Sequence, residues 1–229
     1  MKYLSLVILL SLLPLYSLLK PGMFWAHDSE AHIVRVYEFY KSLTEGNIVP
    51  RWAGGLNAGY GHPVLMFLYP LANYLASLFH FISFDFSDSV KLTLATGYIG
   101  AGIFMYLWLR RHFTASAALV GAAVWQLAPY RFVNLYVRNA MGENTAFLFV
   151  PLTLLAFHAL ITKPSLAKIS LSALALAGLI LSHNAVSLMF LPFLCLYTLI
   201  LLYSSKHKLH TTYSILSTFL LGLSLSSFF

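Results

Sequence analysis

A carboxylate followed at helical spacing by an imidazole and a guanidinium opens the polar interval 26–63. Asp28, His32 and Arg35 stand at i, i+4 and i+7, so on a helix they share one face. An aspartate placed this way can accept a proton from a hydroxyl or amide nucleophile. It can also help hold a divalent cation against a phosphate leaving group. Two further polar clusters interrupt apolar sequence: Arg138-Asn139-Ala140-Met141-Gly142-Glu143-Asn144 and His183-Asn184. Ionisable groups at membrane depth are costly and tend to face a cavity or a pathway. Arg35, Arg51, Arg131 and Arg138 are the guanidiniums available to steady a phosphate by charge-assisted hydrogen bonds.

Each of these residues also has a structural reading. Asp28 is a favoured N-cap that gains from the helix dipole, and taken alone that is the simpler account. His32 serves equally as an interfacial side chain, and Glu143 as the cap of the apolar helix after it, with Arg138 as its partner. His183-Asn184 reads as a tight turn, His62 as a loop residue before Pro63, and His158 as a packed helix histidine. Gly54-Gly55 and Gly59 to Gly61 follow no strand and open no soluble helix, so no nucleotide loop is implied. The argument for function is the shared side on which the three clusters fall.

The elements that must position them are membrane helices. Hydrophobic residues make up 59% of the 229 and charged residues 9%, which excludes an ordinary soluble domain. Several apolar runs approach the roughly 20 residues that cross a bilayer, and they do not alternate as barrel strands do. The net charge of +7 comes from basic residues scattered between these runs, so no nucleic-acid partner is expected. Lone Cys195 lies in an apolar run and implies neither a disulfide framework nor a cysteine metal cluster.

The expected fold is all-α: a polytopic transmembrane bundle of about seven spans, at 3–19, 90–109, 114–129, 146–162, 169–183, 186–204 and 212–229. The first run follows Lys2 and lacks a small-x-small cleavage site, so it reads as an uncleaved signal-anchor. Residues 20–89 form a large first loop carrying interfacial helices. Within it Ile33, Val36, Tyr37, Tyr40 and Leu43 recur at three- and four-residue steps, predicting an amphipathic surface helix over 29–44 that Gly46-Asn47 stops.

Residues 63–83 decide the topology. Left as a surface or re-entrant hairpin, they put Arg110, Arg111, Lys163, Lys168, Lys206 and Lys208 on the side of Lys2, and every acid on the opposite side. The positive-inside rule favours that arrangement: a multi-pass cell-membrane protein with a cytoplasmic N-terminus and an extracytoplasmic active side. The chain reads as a single domain, 1–229, whose last run stops inside an apolar stretch, as the N-terminal portion of a longer protein would.

Read together, Asp28-x-x-x-His32-x-x-Arg35, Gly46-x-Ile48-Val49-Pro50-Arg51-Trp52 and His62-Pro63-x-Leu65 resemble the first-loop signature of GT-C membrane glycosyltransferases. That superfamily includes protein O-mannosyltransferases, aminoarabinose transferases and the oligosaccharyltransferase catalytic subunit. Gly59-Tyr60-Gly61-His62-Pro63 through Tyr69-Pro70-Leu71 further resembles the membrane-protein branch labelled "6-pyruvoyl-tetrahydropterin synthase-related", a label that implies no pterin chemistry. The resemblance continues through Arg110-Arg111 and Glu143 to His183.

It implies a polyprenyl-phosphate sugar donor entering from the bilayer, with transfer on the outer face. Asp28 matches the acid that follows the first span. Some relatives carry a second acid where this chain has Tyr60-Gly61-His62, which leaves Glu143 to serve in that place. The resulting expectation is a glycosyltransferase with Asp28 and Glu143 catalytic. His32, Arg35, Arg51, His62, Arg138, His183 and Asn184 are expected to bind substrate. A divalent metal ion, where one is used, would fall to Asp28, His32 and Glu143. The competing expectation is a transporter, a lipid-handling or assembly subunit of envelope synthesis, or an inactive relative; an alternating-access site would place polar groups midway along the spans.

Overall fold

The computed structural model describes residues 2–205 and 207–229. Lys206, one of the cations expected on the inner loops, lies outside the described residues. Every element named among the described residues is helical, so the protein is an all-α polytopic membrane protein. Helix α1, Lys2–Leu12, tightens into a 3-10 segment, Leu13–Leu19, where Pro14 enters. The first loop carries α2 (Ser29–Thr44), the four-residue α3 (Val64–Phe67) and α4 (Leu71–Phe81). Then come α5 (Phe86–Leu109), α6 (Ala115–Leu127), α7 (Pro129–Phe132), a π-helical turn at Val133–Arg138, α8 (Met141–Thr162), α9 (Leu166–Ser182), α10 (Asn184–Tyr203) and α11 (Lys208–Ser226).

Four stretches are long and apolar enough to cross a bilayer: Lys2–Leu19, α5, α8 and α10. α6 and α9 are apolar but shorter. α6 ends early for a local reason. Pro129 drives the residue before it out of helical geometry, and Ala128 accordingly has ψ 134°. The segment 63–83 is broken before Pro70, and its longer helix has 11 residues. Those rise only about 16 Å, half the hydrocarbon thickness.

Pairs of close contacts give the helix directions. Gly97 meets Asn144 and Gly100 meets Leu148, so α5 and α8 run parallel. Gly178 meets Phe149 while Gly142 meets the Ser182 carbonyl, so α9 runs antiparallel to α8. Lys91 donates to the Lys20 carbonyl at 3.0 Å, whereas Ser11 lies beside Gly102, so α1 opposes α5. One end of the bundle therefore gathers Lys20, Asp88, Glu143 and Ser182, and the other gathers Arg111, Lys163 and Lys208. At mid-depth Gln126 Nε2 donates to Ser11 Oγ at 2.8 Å and to the Tyr98 carbonyl at 2.7 Å, and the Tyr98 hydroxyl donates back to the Gln126 carbonyl. A Cβ at Gly102 would come within 2.8 Å of Ser11 Oγ, so the small residue lets these three helices meet.

The core divides accordingly. Leu15, Val36, Ala76, Leu94, Tyr98 and Met141 pack the acidic end, where the first loop sits on α5 and α8. Leu154, Phe157, Leu160, Leu176 and Leu194 fill the centre of α8 to α11.

Candidate functional site

The site begins where two chain reversals are stitched together. Leaving α7, the chain takes the wide π turn of Val133–Arg138, and Asn139 then adopts a left-handed φ of 52° before α8 starts. The turn presents two free carbonyls. His27 N–H donates to the Val137 carbonyl at 3.0 Å and Asp28 N–H to the Arg138 carbonyl at 3.3 Å. Below them Asn139 Nδ2 donates to Ser29 Oγ at 3.1 Å, with both residues buried. The start of α2 is thus fixed against the start of α8.

Asp28 occupies the N-cap position of α2, with φ −109° and ψ 11°, yet its side chain caps no backbone N–H. The capping account of this residue therefore does not hold in the folded protein. Its half-buried carboxylate makes no hydrogen bond or ion pair among the described residues, and its charge acts on the His32 ring and the Tyr69 hydroxyl. His32 is buried, with Nε2 unpartnered. Burial first, and the Arg35 charge second, hold its ring down to about 4, while Asp28 and the Asn139 backbone pull the other way. The imidazole is therefore neutral at physiological pH. Arg35 is half-buried, and its guanidinium makes no hydrogen bond or ion pair among the described residues.

Glu143, in the first turn of α8, is buried and fully engaged. Arg138 Nη1 donates to Glu143 Oε2 at 2.7 Å and to the Tyr130 hydroxyl at 2.7 Å; that hydroxyl donates to Glu143 Oε1 at 2.6 Å. Glu143 and Arg138 thus form one of two ion pairs among the described residues, closed into a triangle by the phenol. The contrast with Asp28 is chemical: one carboxylate is committed, the other is open.

Tyr69 joins the three clusters. Its ring lies 4.5 Å, centroid to centroid, from that of His183 and is tilted by 36°. Burial, then the charge of Glu143, raises its phenol above the ordinary value, with Arg35 and Arg138 opposing and Asp28 reinforcing. His183 also has a structural duty: its Nδ1 accepts the Val186 N–H at 3.2 Å and caps α10. That bond fixes the proton on Nε2 in the neutral ring, and burial lowers this imidazole too.

Arg131 is buried beneath the triangle, its guanidinium 4.4 Å from the centroid of Tyr98 and 4.7 Å from that of Phe147. Burial lowers it to about 10, so it remains charged, with Nε and Nη1 unpartnered.

Three expected site residues lie elsewhere. Arg51 Nη2 donates to the Phe228 carbonyl at 2.9 Å, and Arg51 lines a cavity beside Glu38. His62 is exposed and bridges Ala53 through its backbone. Asn184 accepts from Ala185 N–H at 2.8 Å and faces an apolar groove between α9, α10 and α11. Among the described residues no group of three or more His, Cys, Asp or Glu could hold a metal. The expected set of Asp28, His32 and Glu143 forms no such group. Tyr69 and Tyr130 were not anticipated as site residues. Each borders a proline at the start of a helix, and Tyr69 also falls in the tract that carries the family resemblance, but neither signal names a side-chain role.

Comparison with known proteins adds to this geometry. An uncharacterised protein of Lactococcus lactis subsp. cremoris (strain MG1363) is 25% identical over 201 residues, covering 86% of this chain and 33% of that protein. The chain therefore spans about a third of the length of that relative. No solved structure matches. The family model described as dolichyl-phosphate-mannose-protein mannosyltransferase matches residues 62–228, from within the first loop through α11. That match covers most of the chain, including Tyr69, Arg138, Glu143 and His183, and the chain belongs to this family.

Proposed function

We propose that the protein is a GT-C membrane glycosyltransferase that moves a sugar from a polyprenyl-phosphate donor to an envelope acceptor on the extracytoplasmic face. The observation that carries the reading is the open carboxylate of Asp28, held by backbone bonds beside the committed Arg138–Glu143 pair. In the proposed step an acceptor hydroxyl or amide gives its proton to Asp28 as its heteroatom bonds to the sugar C1. The C1–O bond to phosphate breaks, and the polyprenyl phosphate leaves with the electron pair. Arg35, whose guanidinium donors are uncommitted, meets the developing phosphate charge. Arg138 is a second cation there, held by Glu143 and Tyr130.

Sidedness is supported by charge: under the positive-inside rule the end with Arg110, Arg111, Lys163 and Lys168 is cytoplasmic. The finer likeness to the "6-pyruvoyl-tetrahydropterin synthase-related" branch rests on Gly59 to Leu71 and is part of this reading. A transporter is disfavoured because the candidate residues Asp28, Arg138 and Glu143 lie at the starts of α2 and α8 rather than midway along spans. The test is sugar transfer from labelled polyprenyl-phosphate donors by the full-length protein and its Asp28→Asn variant. Undiminished turnover in the variant removes Asp28 from the mechanism.

A further inference from the structure

A cavity farther along α2 takes no part in the chemistry above. It holds about 290 Å³ and is lined by Glu38, Lys41, Glu45, Asn47, Arg51 and Trp52, among others. That volume lies near the lower limit of small-ligand sites, roughly 300 Å³. Glu38 is ten residues beyond Asp28, about 15 Å along the helix, so the two carboxylates serve different spaces.

The cavity wall is built and oriented. Glu38 is only 5% exposed. Its Oε2 accepts the Gly55 N–H at 2.8 Å, and a Cβ at Gly55 would come 2.3 Å from Oε1, so a glycine is needed for this approach. Oε1 makes no hydrogen bond among the described residues. The Trp52 indole packs on Gly61, where a Cβ would lie 2.3 Å from Nε1, and the residue remains 54% exposed. The Ala53–His62 bridge pins the backbone between them. The wall beyond is held by the Tyr74 hydroxyl, which donates to the Ile48 carbonyl at 2.5 Å.

The chemistry of this lining selects a ligand class. Two carboxylates, Glu38 and Glu45, balance two cations, Lys41 and Arg51, so neither a strongly anionic nor a strongly cationic ligand is favoured. A fixed carboxylate oxygen accepts hydroxyl protons, an ammonium and an amide donate to hydroxyl oxygens, and a rigid indole offers an apolar platform to C–H groups. A neutral sugar presents both kinds of surface. We propose that this cavity is a glycan subsite that holds a short stretch of a neutral saccharide chain on the first loop. Its capacity to bind does not depend on the transfer chemistry; only the assignment of that chain to the acceptor rests on the glycosyltransferase reading.

The test is equilibrium binding of a panel of neutral oligosaccharides, varied in hexose and linkage, to the full-length protein in lipid nanodiscs, followed by Trp fluorescence and calorimetry. Saturable binding of at least one neutral glycan is expected, weakened about tenfold by Trp52→Leu and by Glu38→Gln and unchanged by Glu30→Gln on the exposed side of α2. Circular dichroism and thermal melting establish that both cavity variants fold. Failure of the whole panel to bind, binding only of polyuronate probes, or binding indifferent to both cavity variants overturns the proposal. If Asp28→Asn abolishes transfer while glycan binding persists, the subsite stands and is separate from the catalytic centre. If wild type transfers sugar but binds no glycan here, the subsite alone falls.

Discussion

The ring of Tyr69 lies so close to Gly142 that a Cβ there would come 1.8 Å from a ring carbon and 2.7 Å from the Ser182 carbonyl. The first loop, the start of α8 and the end of α9 therefore meet at one point with no room for a methyl group. An alanine at 142 must displace the Tyr69 ring, at a cost of about 1–3 kcal/mol from overpacking. Gly142→Ala is expected to lower thermal stability in detergent. Tyr69→Ala should cost less stability in the Gly142→Ala background than in wild type, because it relieves the clash, while sugar transfer stays impaired. Additive effects of the two changes on stability would show that they do not interact.

Asp28→Asn should separate chemistry from folding. The carboxylate makes no hydrogen bond or ion pair among the described residues and caps nothing, so melting should stay within about 0.5 kcal/mol of wild type. Transfer should fall by about 10²–10⁴, the usual contribution of a positioned base. Steady-state turnover with saturating donor is the measurement.

Glu143→Gln should behave in the opposite way. It leaves Arg138 without its charged partner and disturbs the bond to Tyr130. The expected cost is about 1–3 kcal/mol of stability, read as a lowered melting temperature, with loss of activity following from misplaced Arg138. A Glu143→Gln protein that melts like wild type contradicts this assignment.

Acid should loosen the joint between α2 and α8. His32 titrates near 6.5 in an unfolded chain and at about 4 in the folded one. Between those values the unfolded state binds more protons, so the contribution is fully present above pH 6.5 and declines as pH falls toward 4. The whole window is worth about 3 kcal/mol. Melting curves of wild type should shift across it more than those of His32→Phe, whose side chain cannot take up a proton.

The two ends of the bundle should label from opposite sides of the membrane. With Cys195 replaced, cysteines introduced at Glu30 and at Arg111 should react with an impermeant thiol reagent from outside and from inside respectively. Reaction of both from one side breaks the proposed topology.

Much of the architecture was legible because bilayer burial leaves a plain record in sequence. The steps of Ile33, Val36, Tyr37, Tyr40 and Leu43 predict a helix over 29–44, and α2 has those bounds. The basic residues between apolar runs mark where helices end, as Arg110 does after α5 and Lys163 after α8. Span limits were less legible. The run 114–129 reads as continuous by hydropathy, but Pro129 stops α6 at Leu127, and the chain continues as a short helix and a π turn.

By itself the sequence determined that these are membrane helices and that Asp28, His32 and Arg35 share a face of one helix. Local spacing and transfer energetics suffice for that, because each helix satisfies its own backbone. Which residues gather at one end waited on the fold of 63–83. Only the tertiary structure decided which carboxylate is free. Glu143 and Asp28 look alike as residues near apolar segments, but Arg138 and Tyr130 reach the first and nothing among the described residues pairs with the second. That choice, like the meeting of Tyr69 with Gly142 and His183, depends on contacts between residues far apart in the chain, which helical periodicity cannot encode.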